Sequence, residues 1–152
     1  EALAAAHAFA HGEFAAALKT MPQGLVPERL VVCGGTATSL VAMAARLEPY
    51  DPAFVHLHEL ALAEIEGLEH ELAALSVEER GKLVGLQEER APVILGGAVA
   101  VSELLSVTGF PFAQASESDL LFGLSIACHA AAEDALSPVI WKPVLSRLAE
   151  ER

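Results

Sequence analysis

The sequence predicts an α/β layered fold, and three observations carry that prediction. Short apolar, β-branched runs ending in glycine or turn residues alternate with longer segments of helical spacing, the pattern of strands separated by helices. Hydrophobic residues make up 53% of the chain and charged residues 20%, which excludes intrinsic disorder. At 152 residues a single compact domain buries roughly two thirds of the surface its unfolded chain exposes, so one domain over 1–152 is expected, with no disulfide or metal as a staple.

The elements follow in chain order. Residues 3–18 are Ala-rich with Phe9, Phe14 and Leu18 at helical spacing, a helix that the turn residues 21–24 end. The run 29–33 is apolar and stops at Gly34-Gly35-Thr36, which predicts a buried strand feeding a glycine turn. Thr36 or Thr38 then caps a helix to residue 47, closed by Pro49 and Pro52. Residues 54–60 alternate as a short strand with His56 and His58 on one side. Over 61–75, Leu62, Ile65, Leu68, Leu72 and Leu75 form one stripe, while Glu64, Glu66, Glu69 and Glu71 lie elsewhere, an amphipathic helix. Ser76 and Glu79 match a capping box that opens a short helix.

Residues 87–107 read as a long, mostly buried helix with Pro92 in its first turn. A strand over 93–95 is the alternative, because short apolar segments do not reveal their period. Gly109 stops the helix, residues 110–115 predict a strand, Ser118 or Asp119 caps a helix over 120–132, and Ser137-Pro138 opens a last one.

Nine Lys and Arg stand against 21 Asp and Glu, a formal net charge of −12. No basic footprint exists for nucleic acid or an anionic membrane, and both are excluded as partners. The longest uncharged run starts at Ala91 and stops near Ser102, shorter than the roughly 18 residues of a membrane span. Cys33 and Cys128 lie in apolar surroundings and read as reduced core thiols, which points to a cytoplasmic setting. The opening Glu1-Ala2-Leu3 lacks an initiator Met and a leader pattern, so the chain is expected to be a piece of a longer one.

Gly34, Gly35 and Thr36 are the best candidate ligand-binding residues: two glycines after a strand and before a helix let backbone approach a phosphate or ribose that a Cβ would obstruct. A tight structural turn fits the same pattern. Gly96 and Gly97 inside a helix suggest a close helix approach. His7 and His11, and His56 and His58, are pairs that could share a metal but lack a third ligand nearby; solvated faces account for them, and for the glutamates over 64–71. His70 and His129 have no partner in sequence, and no catalytic triad, Cys-x-x-Cys or Walker pattern is present.

The string Leu30-Val31-Val32-Cys33-Gly34-Gly35-Thr36-Ala37-Thr38 closely resembles the Gly-Gly-Thr-Ala-Thr segment of the exopolyphosphatase and guanosine pentaphosphate phosphatase (Ppx/GppA) family. The downstream order resembles it too: Leu47-Glu48-Pro49-Tyr50-Asp51-Pro52, then Val55-His56, Leu75 through Arg80, Gly85-Leu86, and Glu89-Arg90-Ala91 leading into Ile94 to Ala98. The resemblance implies a ribonuclease H-like domain of the actin-like ATPase superfamily, helix-rich with a mixed sheet flanked by helices, and specifically the second domain of a two-domain phosphatase. It implies that Gly34, Gly35 and Thr36 close one side of an interdomain cleft and that the helix through Gly96 and Gly97 packs at the hinge.

The parent would hydrolyse terminal phosphoanhydrides of polyphosphate or guanosine pentaphosphate, with Mg held mainly by the first domain of the same chain. The family's two phosphate loops and its base Glu are not in this sequence, so the chain alone is expected to be inactive. Pro92 stands where the family usually has Asp, and residues 116–123 lack the family's Arg and Glu, which opens a second reading as a noncatalytic nucleotide-binding or regulatory module. A third is a homodimer through apolar patches that a partner domain would otherwise cover.

Overall fold

The computed structural model describes residues 1–22, 24 and 26–133. The chain divides into two compact units, Glu1–Glu117 and Ser118–Arg152, and each unit is described by itself. The helix expected from Ser137 lies outside the described residues.

The first unit begins with α1 (Ala2–Leu18), followed by β1 (Val31–Cys33) and α2 (Gly35–Ala44). A single turn, α3 (Pro52–Val55), precedes β2 (Glu59–Ala61) and α4 (Leu62–Ala74). Then come α5 (Val77–Arg80), a 3-10 turn at Glu88–Arg90, α6 (Ile94–Thr108) and β3 (Phe112–Ser116). The sheet is mixed and ordered β1-β3-β2, with β1 parallel and β2 antiparallel to the central β3. Val32 lies opposite Ala115 and Leu60 opposite Ala113 in its registers.

Helix α2 is the centre of this unit. It packs on β1, β3, α4 and α6, and its Leu40 and Val41 are fully buried with Leu60, Ile65, Leu72 and Ile94. Burying a Leu or Ile side chain contributes about 1.5–3 kcal/mol, and here the contributions converge on one helix. The α4 stripe is as expected: Ile65, Leu68 and Leu72 face inward. The Ser76 box is also present, with the Glu79 amide donating to the Ser76 hydroxyl at 3.3 Å and the Ser76 amide to the Glu79 carboxylate at 2.8 Å. Gly109 ends α6 in the left-handed region.

Several expectations are corrected. The strand expected over 54–60 is instead α3 and β2, because Asp51 Oδ1 accepts from the amides of Ala53 and Phe54 and Pro52 presets the first helical φ. Hydrogen bonding to β3 already starts at Leu57 and His58, but Leu57 is exposed and has a φ of +62, so the expected alternation is broken there and the regular register runs only from Glu59. Neither Thr36 nor Thr38 caps α2; Gly34 is its N-cap, with no side-chain cap bond. Strand β1 is not buried: it ends the sheet order, and Val31 and Cys33 are exposed, so Cys33 is not a core thiol. The long helix starts at Ile94, after a 3-10 turn, with Pro92 ahead of it.

His7 and Glu69 do not lie on solvated faces, whereas His11 is exposed as expected but still engaged. Helix α1 fully buries no residue, but it packs along α6, with Leu3, Phe14 and Leu18 partly buried and a polar cluster beside them. Glu69 on α4 is buried and accepts from Ser102 Oγ at 2.5 Å. The His7 ring meets Glu69 through Nε2 at 3.1 Å and Glu103 of α6 through Nδ1 at 2.8 Å, and His11 Nδ1 meets Glu103 at 2.9 Å.

The second unit contributes one described helix, α7 (Leu120–Ala132), capped as expected by Asp119, whose Oδ1 accepts from the amides of Leu121 and Phe122.

Two glycines make opposite predictions. Gly85 has φ +86, and a Cβ there would lie 2.4 Å from the Ala42 carbonyl and 2.7 Å from the Met43 amide. Gly85→Ala is expected to cost at least about 2 kcal/mol. Gly12, inside α1 with nothing within 4 Å, should instead gain about 0.5–1 kcal/mol as Gly12→Ala. Urea unfolding of the two variants separates them.

Candidate functional site

The Gly34-Gly35-Thr36 turn lies where β1 ends and α2 begins. Gly34 holds φ +93 and ψ 169, a conformation that L side chains rarely adopt, so glycine is required for the strand to turn into the helix here. Thr38 N–H donates to the Gly34 carbonyl at 3.3 Å, and the Thr38 hydroxyl reaches the Gly35 carbonyl at 3.4 Å.

Each of the next two residues is matched to a neighbour from α6 or the turn before it. Above Gly35 lies the guanidinium of Arg90: a Cβ on Gly35 would fall 2.4 Å from its central carbon. Arg90 Nη1 donates to the Gly35 carbonyl and, at 2.8 Å, to Ser39 Oγ. Thr36 packs against Gly97, where an added Cβ would meet the Thr36 methyl at 2.4 Å. The close approach expected at the Gly96-Gly97 pair is therefore made by Gly97 to α2, while Gly96 has nothing within 4 Å.

Beside the turn is a small polar cleft of about 160 Å³ lined by Thr38, Ser39, Tyr50, Gln87, Arg90 and Glu117. The Tyr50 hydroxyl donates to Glu117 Oε1, and the Glu117 amide donates to His56 Nδ1 at 3.3 Å. Burial raises Tyr50 above its ordinary value, and the hydrogen bond to Glu117 and that carboxylate's charge push the same way, against Thr38 and the Arg90 cation. The second histidine of that pair, His58, stacks on Phe54 at 4.7 Å instead.

The donor set does not suit a divalent cation. The cleft holds one carboxylate, Glu117, engaged by Tyr50, and it shares the space with a guanidinium. Among the described residues no group of three or more His, Cys, Asp or Glu could hold a metal. What the cleft offers is a fixed cation, hydroxyls and backbone, a setting suited to orienting an anion.

Arg90, Tyr50 and Glu117 are the neighbours of the turn that the sequence did not single out as site residues. Arg90 and Tyr50 lie within the strings that carry the family resemblance, but nothing in their spacing places Arg90 on Gly35, 55 positions away.

No protein-family model matches the chain. Exopolyphosphatase 2 of Mycobacterium tuberculosis is 32% identical over 115 residues, which cover 73% of this chain and 36% of that protein. A bifunctional 3-dehydroquinate synthase/phosphatase of Fusobacterium nucleatum is 33% identical over 95 residues, 62% of this chain and 14% of that protein. Two crystal structures of the Aquifex aeolicus Ppx/GppA phosphatase superpose with a TM-score of 0.65 at 27% and 26% identity, covering 72% and 73% of this chain and 35% of each.

The fold is thus that of the ribonuclease H-like, actin-like ATPases. Within that class the chain carries a stretch of the Ppx/GppA phosphatase family, and it spans about a third of the length of the exopolyphosphatase and the solved phosphatases that it matches.

Two outcomes test this geometry. Gly97→Ala should destabilise by about 1–3 kcal/mol, and adding Thr36→Ala, which removes the two nearest atoms, should return most of that loss in thermal unfolding. Tyr50 is the single tyrosine, so an alkaline absorbance titration reads it alone. Its midpoint should lie above 10.0 and fall in Glu117→Gln. Because the folded form keeps its proton longer, stability should drop as pH rises past the unfolded tyrosine value and level off above the folded one.

Proposed function

We propose that this chain is one side of the cleft of a Ppx/GppA-type exopolyphosphatase, its second ribonuclease H-like domain. The parent would release terminal phosphate from polyphosphate or guanosine pentaphosphate by attack of water on the phosphoanhydride. The observation that supports this best is the Arg90 guanidinium seated on the Gly34-Gly35-Thr36 turn and anchored by Ser39. That pairing puts a cation on the glycine turn in a stretch related to exopolyphosphatase 2.

In this reading the turn and Arg90 bind and orient the phosphate chain or nucleotide. Mg, which in such hydrolases offsets charge on the transferring phosphoryl group, would be held by the first domain, since this cleft's donors do not suit it. Water activation would fall to that domain also, and the chain alone would not turn over substrate. No described helix is long and apolar enough to cross a membrane, in keeping with a parent that works in the cytoplasm. A noncatalytic nucleotide-binding or regulatory role is the second reading, favoured by Pro92 in the position where the resemblance leads one to expect Asp.

Calorimetric titration of the chain with polyphosphate, ADP and guanosine nucleotides, with and without Mg, tests the site. Binding should occur without Mg and be lost in Gly35→Val, whose side chain would displace Arg90, and in Arg90→Ala. Binding left intact by both variants would show the turn to be structural only. Hydrolysis by the full-length parent would then separate the catalytic from the regulatory reading.

A further inference from the structure

The polar cleft beside the turn does not end at Tyr50. A second hollow of about 270 Å³ shares Tyr50, Gly85 and Gln87 with it and adds Leu47, Leu83 and Val84 to the lining. Glu48 and Lys82 also line this hollow, and Lys82 is paired with Glu78 at 2.8 Å. Apolar walls with a few polar groups suit a flat ring with a polar edge. A phosphate chain, which carries no apolar surface, gains nothing from them.

The first hollow is divided in charge. Arg90 is anchored on the Gly35 carbonyl and Ser39, where it favours an anion, while Glu117 lines the same small space. A carboxylate there raises the energy of every phosphate brought in, and a bare phosphate chain has no hydroxyl to offer it in return. Glu117 Oε1 accepts from the Tyr50 hydroxyl. An ionised carboxylate has about four lone-pair sites, so Glu117 can take a further hydrogen bond from a sugar hydroxyl without giving up Tyr50. Hydrogen bonds to an ionised group are the stronger kind.

We propose that Glu117 is a specificity-determining residue: its carboxylate, sharing the cleft with Arg90, and the mixed hollow beyond Tyr50 select a phosphorylated nucleoside over an inorganic phosphate chain. This rests on the reading of the turn and Arg90 as the phosphate site. The phosphates lie at Arg90, a ribose hydroxyl donates to Glu117, and the base enters the hollow lined by Leu47, Leu83 and Val84. Tyr50, common to both spaces, holds Glu117 at their junction. Repulsion acts against the bare chain while the hydroxyl and base contacts act for the nucleotide, so both contribute to the ratio of affinities.

Calorimetric titration of the chain with GDP and with pyrophosphate, matched in phosphate number and both without Mg, reads that ratio directly. GDP should bind roughly tenfold more tightly or better. In Glu117→Gln, pyrophosphate should tighten by roughly threefold or more as the like charge goes, while GDP does not, so the ratio shrinks. Val84→Asn, at an exposed position, should weaken GDP and spare pyrophosphate, and it serves as the variant if Glu117→Gln does not fold. Equal affinity for the two ligands in the unaltered chain overturns the proposal, as does a ratio that either folded variant leaves unchanged. If equal binding is lost in Arg90→Ala, the phosphate site stands and only the selectivity falls. Binding of neither ligand overturns both.

Discussion

Everything around the cleft depends on how closely α6 approaches the start of α2. Gly97 has no side chain, so Thr36 can sit against the α6 backbone. That contact sets the distance between the two helices at the level of the Gly34 turn. Arg90, on the 3-10 turn just before α6, then reaches the Gly35 carbonyl and Ser39. Core burial of Leu40, Val41 and Ile94 holds the same pair of helices from below. Packing and polar geometry therefore support one arrangement, and neither would be worth much without the other.

Net charge and local charge point in different directions here. A chain at −12 repels polyanions at a distance, so steering by the whole field would be unfavourable. Only a cation fixed at the site itself can offset this, and Arg90 is in that position on the turn. The acidic balance is also put to structural use: Glu69 and Glu103 have named donors in buried or partly buried positions, and the exposed Glu79 accepts from Ser76.

The legible parts of the sequence were those whose physics is local. The α4 stripe, the Ser76 box, the Asp119 cap and the Gly109 stop each lie within a few residues of their partners. The segment 54–60 reads as one strand because alternation does not show that Asp51 and Pro52 start a helical turn ahead of it or that Leu57 turns into the left-handed region. Cys33 was misplaced because an apolar strand reads alike in the centre and at the end of a sheet. The glycine turn itself was legible, but its surroundings were not. Arg90 meets Gly35 across 55 positions and His7 meets Glu103 across 96, and no period or spacing encodes such pairs.

The exposure of Cys33 gives the turn a chemical address. The thiol sits immediately before Gly34 at the open end of the sheet order. An environment-sensitive dye attached there by maleimide chemistry would stand two positions from the backbone that Arg90 covers. Occupancy of the turn would thus become visible as emission, without a substrate analogue and without altering a residue of the turn.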